Sequence, residues 1–337
     1  MKHFGFPLET IVVFFGVVAL SVYLDLFAHK KSTEISLADA ARWSIFWVAL
    51  ALAFYAYLWW HFGKNWADLY LAGYALEKSL SVDNLMVFMA IFASFSIRGI
   101  LQHRILYYGI IGALVFRAIF VVIGAGLFQA SPWVGFVFAA FVIWSAVKML
   151  QSSGDDDDEI EDYSNHWSVR LTGKLMPVYT RLHLNHFFVR HHELDQLADN
   201  TAATTRRGLL YATPAFLCLM AIETSDIAFA FDSVPAVIAI TQEPLLVYAS
   251  MIFAILGLRS LYFVLAALTK YLCHLEKAVI CLLFFIGGKM ILQSYNHAIA
   301  DTGIHISPGV SLTVVLGLLF LGIAASFVFP EKAAREE

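Results

Sequence analysis

Residues 76–85 read LEKSLSVDNL and lie inside an otherwise apolar run that covers residues 69–95. Glu77, Lys78 and Asp83 are therefore charges in a segment that is otherwise suited to hydrocarbon. Each charge near the centre of a bilayer costs roughly 2.5–3.5 kcal/mol on insertion scales. Acids kept at such a cost indicate a functional site within the membrane.

Apolar runs of this kind recur along the whole chain of 337 residues, which is 60% hydrophobic and only 14% charged. Soluble domains are about half apolar and about a quarter charged. Because a helix needs about 20 apolar residues to cross a bilayer, the sequence predicts an all-α polytopic membrane protein. Nine spans are predicted, near residues 8–28, 40–61, 68–95, 103–127, 132–150, 209–240, 245–268, 275–293 and 308–329.

The basic residues predict how this bundle is oriented. Fifteen of the 22 lysines and arginines fall on one side of a nine-span arrangement, whereas Lys2 and Lys64 fall on the other. The positive-inside rule then places the polar loop 151–208 and the C-terminus in the cytoplasm and the N-terminus outside. The net charge of −4 gives no reason to expect nucleic acid as a partner. The expected partners are membrane lipid and, as argued below, a divalent metal ion as substrate, and protein partners stay unknown.

Two segments of the chain share the same order of polar residues. The matched pairs are Glu77 with Asp226, Asp83 with Asp232, Asn84 with Ser233, Arg117 with Arg259, and Lys148 with Lys289. Matches in one order predict a repeat of spans 3–5 and 6–8, and three spans per unit make it an inverted repeat, as secondary transporters often contain. The predicted organisation is two N-terminal helices (1–61), repeat 1 (68–150), the loop (151–208), repeat 2 (209–293) and a last helix (308–329).

The spacing of the acids limits how they can hold an ion. Glu77 and Asp83 are separated on an ideal helix by about 9 Å of rise and about 120° of azimuth, so an unbroken helix cannot bring both to one ion. Either the helix unwinds, or two helices each supply acids. Glu223 and Asp226 share one helix face, and Pro235 is expected to free a carbonyl near Phe231.

The types of side chain narrow the ligand. Carboxylates, the Asn84 amide and the Ser233 hydroxyl are hard oxygen donors, which suit Mg²⁺, Ca²⁺ or Mn²⁺. Lys78, Arg117 and Arg259 are expected to balance the acids and to lock helices together rather than to touch a cation. A purely structural alternative is that the acids form ion pairs, such as Glu77–Lys78 or Asp83–Arg117. No resident cofactor is expected.

Five segments resemble a known family: GYALEKSLSVDNLMVF, IETSDIAFAFDSVPAVIAIT, FAILGLRSLYF, FFIGGKMIL and LNHFFVR. They look like the signature segments of the TerC/Alx family of bacterial membrane proteins, within the LysE transporter superfamily. The resemblance implies a multi-pass protein of the bacterial cytoplasmic membrane, associated with tellurium resistance, that exports Mn²⁺. Carried over by position, the family's metal site falls on Glu77, Asp83, Asn84, Glu223, Asp226 and Asp232.

Other functions fit the sequence less well. An intramembrane aspartyl protease would have GxGD surroundings, which Asp83 and Asp232 lack, so we do not expect an enzyme. A scaffold that does not transport, acting in tellurium resistance or metal homeostasis, remains the main alternative. The loop contains the acidic stretch GDDDDEIED (154–162) and several histidines between residues 183 and 192, which we interpret as a solvated linker.

The orientation can be tested with reporter fusions. A reporter inserted after Ser153 should show cytoplasmic activity, because the basic residues of the 151–208 loop retain it inside. A fusion at Lys64, which the same arrangement places outside, is the matched control and should give the opposite signal. Periplasmic activity at Ser153 would rule out the nine-span arrangement and the inverted sense of the repeat.

Overall fold

The computed structural model describes residues 2–3, 6–28, 37–131, 133–152, 163–179, 181, 186–191, 210–268, 274–299 and 302–329. Most of these residues are helical. The helices are α1 Leu8–Ala28, α2 Leu37–Phe62, α3 Lys64–Ser94, α4 Ile100–Ala130, α5 Val134–Ser152, α6 Trp167–Leu175, α7 Pro214–Ile240, α8 Pro244–Ile255, α9 Leu258–Leu268, α10 Leu275–Ala298 and α11 Pro308–Val328. Four short strands form two antiparallel pairs: β1 Lys2–His3 with β2 Phe6–Pro7, and β3 Phe188–Arg190 with β4 Leu210–Ala212.

Several of these helices are suited to cross a membrane. Among the described residues, five are long and apolar enough, namely α2, α4, α5, α7 and α11, and the bent pair α8–α9 makes six if it is one span. Helices α1, α3 and α10 lie where the other three spans were predicted, but they do not meet the same test of length and apolar content. The membrane protein class is thus confirmed, whereas the count of nine and the inverted repeat stay predictions.

The chain divides into two compact units, and the first contains Met1–Asp83, Leu114–Asp157 and Phe229–Glu337. One part of its core is aromatic: Phe14, Phe54 and Phe253 pack with centroids 5.1–6.1 Å apart, and Tyr70 joins them. The Tyr70 hydroxyl donates to the Ala51 carbonyl at 3.2 Å. Aromatic rings bury large areas, so this cluster fixes α1, α2, α3 and α8 against one another.

Small residues set the helix spacing elsewhere in the first unit. A Cβ on Gly287 of α10 would overlap the Ile143 side chain of α5, and one on Gly322 of α11 would overlap Ala278 of α10. Close approach at small residues is the usual way in which membrane helices associate, because lipid gives no hydrophobic drive for it. These glycines therefore pack α10 tightly between α5 and α11.

The predicted span 245–268 is not one straight helix. Helices α8 and α9 meet at Leu256–Gly257 with a bend of 50°, and Gly257 has φ +80°. The Trp47 ring lies directly against Gly257, so that any Cβ there would overlap it. The break therefore needs glycine at position 257 for two reasons. Glycine adopts a positive φ without steric cost, and it has no Cβ to overlap the Trp47 ring.

Helix α7 runs unbroken from Pro214 to Ile240 with Pro235 inside it, so the acids of span 6 are not brought together by unwinding of that helix, which was one of the two arrangements considered. Helix α3 is also continuous, from Lys64 to Ser94. The irregular backbone of the described spans lies in the following span, at Gly257. An apolar environment and neighbouring helices tolerate proline within membrane helices, whereas the positive φ of Gly257 ends one helix outright.

The second unit contains Asn84–Ala113 and Asp158–Ala228. Its strands β3 and β4 were not expected from the all-α prediction, and the predicted span beginning at residue 209 starts as β4 before α7.

Side-chain contacts fix the segment that precedes α7. The Thr213 hydroxyl donates a hydrogen bond to the His186 carbonyl at 2.8 Å. Arg104 of α4 lies over the Phe187 ring at 5.0 Å. Residues 186–190, the described part of LNHFFVR, are thereby anchored. The first two residues of that segment, the acidic stretch 154–162 and His192 lie outside the described residues.

The break at Gly257 gives a stability prediction. Gly257→Ala should destabilise the protein by about 1–2 kcal/mol for the positive φ and by about 1–3 kcal/mol more for the overlap with Trp47. Gly63→Ala is the matched control, since Gly63 also has a positive φ of 91° but has no neighbour within 4 Å of a Cβ. Unfolding in detergent measures both losses, and equal losses would contradict the role of Trp47.

Candidate cation site

The charges of residues 76–85 are placed on α3, where Glu77 forms an ion pair with Arg117 of α4. Both side chains are completely buried. Since α3 is a continuous helix, Glu77 and Asp83 point in different directions and do not share an ion. The structural alternative named an ion pair between Asp83 and Arg117. In the structure, the carboxylate that pairs with Arg117 is that of Glu77.

Lys78 donates a hydrogen bond to the backbone at the break between α8 and α9. Its ammonium donates to the Ala254 carbonyl at 3.1 Å, in the last turn of α8. This carbonyl would bond to residue 258 in an unbroken helix, and Lys78 supplies a donor in its place. The lysine thus stabilises irregular backbone inside the first unit. Arg259, at the start of α9, is also buried.

Asp83 lies six residues after Glu77, in a different environment. It interacts electrostatically with Glu276, which is in the first turn of α10. Its Oδ2 atom is buried and has no hydrogen-bond partner among the described residues. Two neighbouring carboxylates repel each other unless a proton or a cation lies between them. The next residue, Asn84, is buried and belongs to the second unit.

A second pair of carboxylates lies in the second unit. Glu223 and Asp226 occupy successive turns of α7 and interact electrostatically. The Glu223 carboxylate lies against the Cα of Gly112 in α4, in the space that a Cβ on Gly112 would fill. The Glu223 Oε2 atom has no hydrogen-bond partner in the described part of the chain. A glycine in α4 thus makes room for this carboxylate.

Asp232 is partly compensated within the first unit. It forms a side-chain hydrogen bond with Ser145 of α5, and Lys148, one turn further along α5, attracts it. Ser233 is buried beside it, and its hydroxyl has no partner among the described residues. Asp232 is therefore held by fixed groups of the protein, unlike Asp83 and Glu223.

The predicted ligands do not form one compact cluster. No group of three or more His, Cys, Asp or Glu side chains in the described residues is arranged to hold a metal ion. The structure instead contains the two carboxylate pairs Asp83–Glu276 and Glu223–Asp226, together with the separately paired Glu77 and Asp232. An ion that keeps some of its water can be bound by one or two carboxylates with other oxygens.

Three contributors to these sites were not found by sequence reasoning. Glu276 of α10, Ser145 of α5 and Gly112 of α4 were not among the predicted site residues. The signal for Gly112 was weak, because glycine in an apolar helix usually marks helix contact. No signal joined Glu276 to Asp83, since the two lie on helices far apart in the sequence.

Comparisons with known proteins agree with this picture of a membrane protein. The family model described as "Integral membrane protein TerC family" matches residues 61–334. The chain is 53% identical to "Tellurium resistance protein TerC" of Serratia marcescens over 341 residues, which cover 99% of this chain and 98% of that protein. It is 36% identical to a protein of Escherichia coli (strain K12) named as the membrane-bound redox modulator Alx, over 90% of each chain. No solved structure matches the chain.

The contact between Gly112 and Glu223 can be measured as a coupling energy. Gly→Ala within a helix is worth up to about 1 kcal/mol of stability, and Gly126→Ala, on the same helix with open space around it, should show this gain. Gly112→Ala should instead lose stability or gain none, because the added methyl group displaces the Glu223 carboxylate.

The effect should disappear when Glu223 is shortened. In a double-mutant cycle of Gly112→Ala with Glu223→Ala, followed by unfolding in detergent, we expect a coupling of about 0.5–3 kcal/mol. Additive effects of the two substitutions would show that the carboxylate does not occupy the space beside Gly112.

Proposed function

The chain belongs to the TerC family of integral membrane proteins, and from this premise we propose that it is a secondary transporter that exports divalent cations, with Mn²⁺ as its substrate. Export runs from the cytoplasm outward and is coupled to protons. The predicted ligands are Asp83, Asn84, Glu223, Asp226 and Asp232, and Glu276 is added to them. Glu77, also predicted as a ligand, holds Arg117.

The observation that carries this proposal is that acidic side chains on the membrane helices interact electrostatically with other acidic side chains. Asp83 interacts with Glu276, and Glu223 with Asp226. Asp83 and Glu223 each have a buried oxygen atom without a hydrogen-bond partner in the described residues. Burying an unsatisfied carboxylate is costly, and placing two together adds repulsion. A divalent cation removes both costs at once.

The donor atoms favour a hard cation. The carboxylates, the buried Asn84 amide and the Ser233 hydroxyl supply oxygen only, and oxygen ligands suit Mn²⁺, Mg²⁺ and Ca²⁺ better than Zn²⁺ or Cu⁺. Because each carboxylate pair supplies two acids, part of the coordination shell is left to water or amide oxygens. We assign Mn²⁺ among these ions on the resemblance to the TerC/Alx family.

Proton coupling follows from the same carboxylates. When the cation leaves, each neighbouring pair must take up at least one proton, because two adjacent charges are not stable in a medium of low dielectric constant. Protons entering from outside would therefore replace the outgoing cation. The sequence contains no GxxxxGK[ST] segment, so this chain has no Walker-type site for ATP.

A second candidate function is a membrane scaffold in tellurium resistance. It is favoured by the relative from Serratia marcescens, which is 53% identical and is named for tellurium resistance. A scaffold needs stable helices but no exchangeable carboxylates. The two functions therefore differ in what removal of an unpaired acid does, and this difference can be measured.

We expect Asp83→Asn to lower Mn²⁺ efflux to the level of liposomes without protein, while thermal stability in detergent is kept or increased. The amide has almost the same volume, and the substitution removes a charge that Glu276 repels. By contrast, Glu77→Gln leaves the completely buried Arg117 without its carboxylate, and should cost about 3–5 kcal/mol of stability.

Asp68→Asn is the matched control. Asp68 is buried on the same helix α3, and its Oδ1 accepts a hydrogen bond from the Tyr55 hydroxyl at 3.2 Å, which an asparagine oxygen can also accept. This variant should transport at the wild-type rate. A folded Asp83→Asn variant that still transports Mn²⁺ would refute the site, and wild-type protein that moves no Mn²⁺ in proteoliposomes would leave the scaffold as the better function.

A further inference from the structure

The first unit contains a large cavity that takes no part in the cation site. Its volume is about 940 Å³, and its lining includes Thr241, Glu243, Lys289, Gln293, Ser294 and His297. These residues come from the turn after α7 and from the last three turns of α10. In the predicted orientation, both segments lie at the outer side of the membrane. We call this space the outer cavity.

Lys289 is the positive charge of the outer cavity, and its side chain is 2% exposed. Its ammonium donates to the Ile240 carbonyl at 3.4 Å, a long hydrogen bond. None of the ion pairs in the described residues includes Lys289. A buried ammonium needs an anion or several hydrogen bonds to offset the loss of water. The described chain supplies one weak hydrogen bond.

Lys148, the lysine that corresponds to Lys289 in the predicted repeat, has a different environment. Asp232 attracts Lys148, so that lysine has a carboxylate within electrostatic reach. At Lys289 the position of the anion is taken by the outer cavity. The comparison indicates that the counter-charge of Lys289 comes from outside the described chain.

Unsatisfied polar atoms accompany this lysine. Thr241 Oγ1, Glu243 Oε1, Gln293 Oε1 and Ser294 Oγ are all buried and have no hydrogen-bond partner among the described residues. Two of the four are hydroxyl groups, which can donate to an anion. Burial also raises the pKa of Glu243, and a raised pKa favours the neutral carboxyl, which does not repel an anion.

We propose that the outer cavity is a binding site for a ligand that carries an oxyanion, a phosphate or a carboxylate group, with Lys289 as its charge partner and the hydroxyls of Thr241 and Ser294 as donors. Charge-assisted hydrogen bonds of this kind are about twice as strong as neutral ones. The cavity volume lies in the range of about 300–1,000 Å³ that holds whole small molecules. The ligand is therefore a small soluble molecule or a lipid headgroup.

A metal cation does not fit the outer cavity as well. Glu243 is the one carboxylate among its described lining residues, and no group of three His, Cys, Asp or Glu residues in the described chain can hold a metal. A cation would also be repelled by the buried charge of Lys289. The ligand of this cavity is thus distinct from the substrate of the cation site, and the inference does not depend on transport.

The test uses the full-length protein in detergent and measures its thermal unfolding. Inorganic phosphate is titrated in one series and phosphatidylglycerol in mixed micelles in another, with ionic strength held constant by chloride. A ligand that binds only the folded state raises the unfolding temperature in a saturable manner. We expect saturation in at least one series, with phosphate if the ligand is soluble and with phosphatidylglycerol alone if it is a headgroup.

Two lysine variants make the test specific. Lys289→Met keeps the length of the side chain and removes the buried charge, so the saturable rise should disappear while the protein stays folded. Lys277→Met is the matched control: Lys277 lies in the first turns of the same helix and is exposed, and its variant should keep the full rise. An equal rise in Lys289→Met, or no saturable rise in the wild-type protein in either series, would overturn the proposal.

Two further variants keep the test valid if Lys289→Met fails to fold. Ser294→Ala and Thr241→Val each remove one hydroxyl donor. Because a hydrogen bond to a charged group contributes about 1.5–3 kcal/mol, each should raise the midpoint of the ligand titration by roughly tenfold or more. Unchanged midpoints in both variants would contradict the proposed site.

Discussion

The ion pair between Glu77 and Arg117 is the constraint on which the polar part of this membrane protein depends. Both side chains are completely buried among apolar helices, where a single unpaired charge would be strongly destabilising. The pair holds α3 against α4, and Arg117 neutralises Glu77. Asp83, six residues later on the same continuous helix, takes part in none of the ion pairs of the described residues. It interacts electrostatically with the carboxylate of Glu276. Glu77 is thus neutralised within the protein, and the acid proposed as a cation ligand is Asp83.

The break in the helix at Gly257 follows the same requirement, that every buried polar group needs a partner. The break at Gly257 leaves the Ala254 carbonyl without a helical partner, and the ammonium of Lys78 supplies the missing donor. Trp47 closes the space beside the glycine. Non-helical backbone at membrane depth is tolerated where it is buried in protein, and here a lysine and an indole ring bury it. The broken helix is thereby a fixed element of the first unit, to which α3 is tied directly.

The two sites proposed for this protein differ in the sign of the charge that lacks a partner. In each proposed cation-binding pair, a carboxylate interacts with another carboxylate. In the outer cavity, Lys289 belongs to none of the ion pairs of the described residues. Each arrangement has an electrostatic cost that a ligand of the opposite charge would relieve. The segments that carry the acids are among those that match the TerC family, whose model extends over residues 61–334. Lys289 lies in this region as well, so both sites belong to the part of the chain that the family shares.

The sequence by itself determined that this is a helical membrane protein, where its helices lie, and which acids are placed in apolar segments, because hydrocarbon length and the cost of burying charge act locally along the chain. Family membership was also evident from five segments. Only the tertiary structure decided that Arg117 pairs with Glu77, that a span bends at Gly257, and that Glu276 and Gly112 adjoin the acids. These choices depend on which faces of distant helices meet. The periodicity of one helix gives the direction of its side chains but contains no information on the neighbour that they reach.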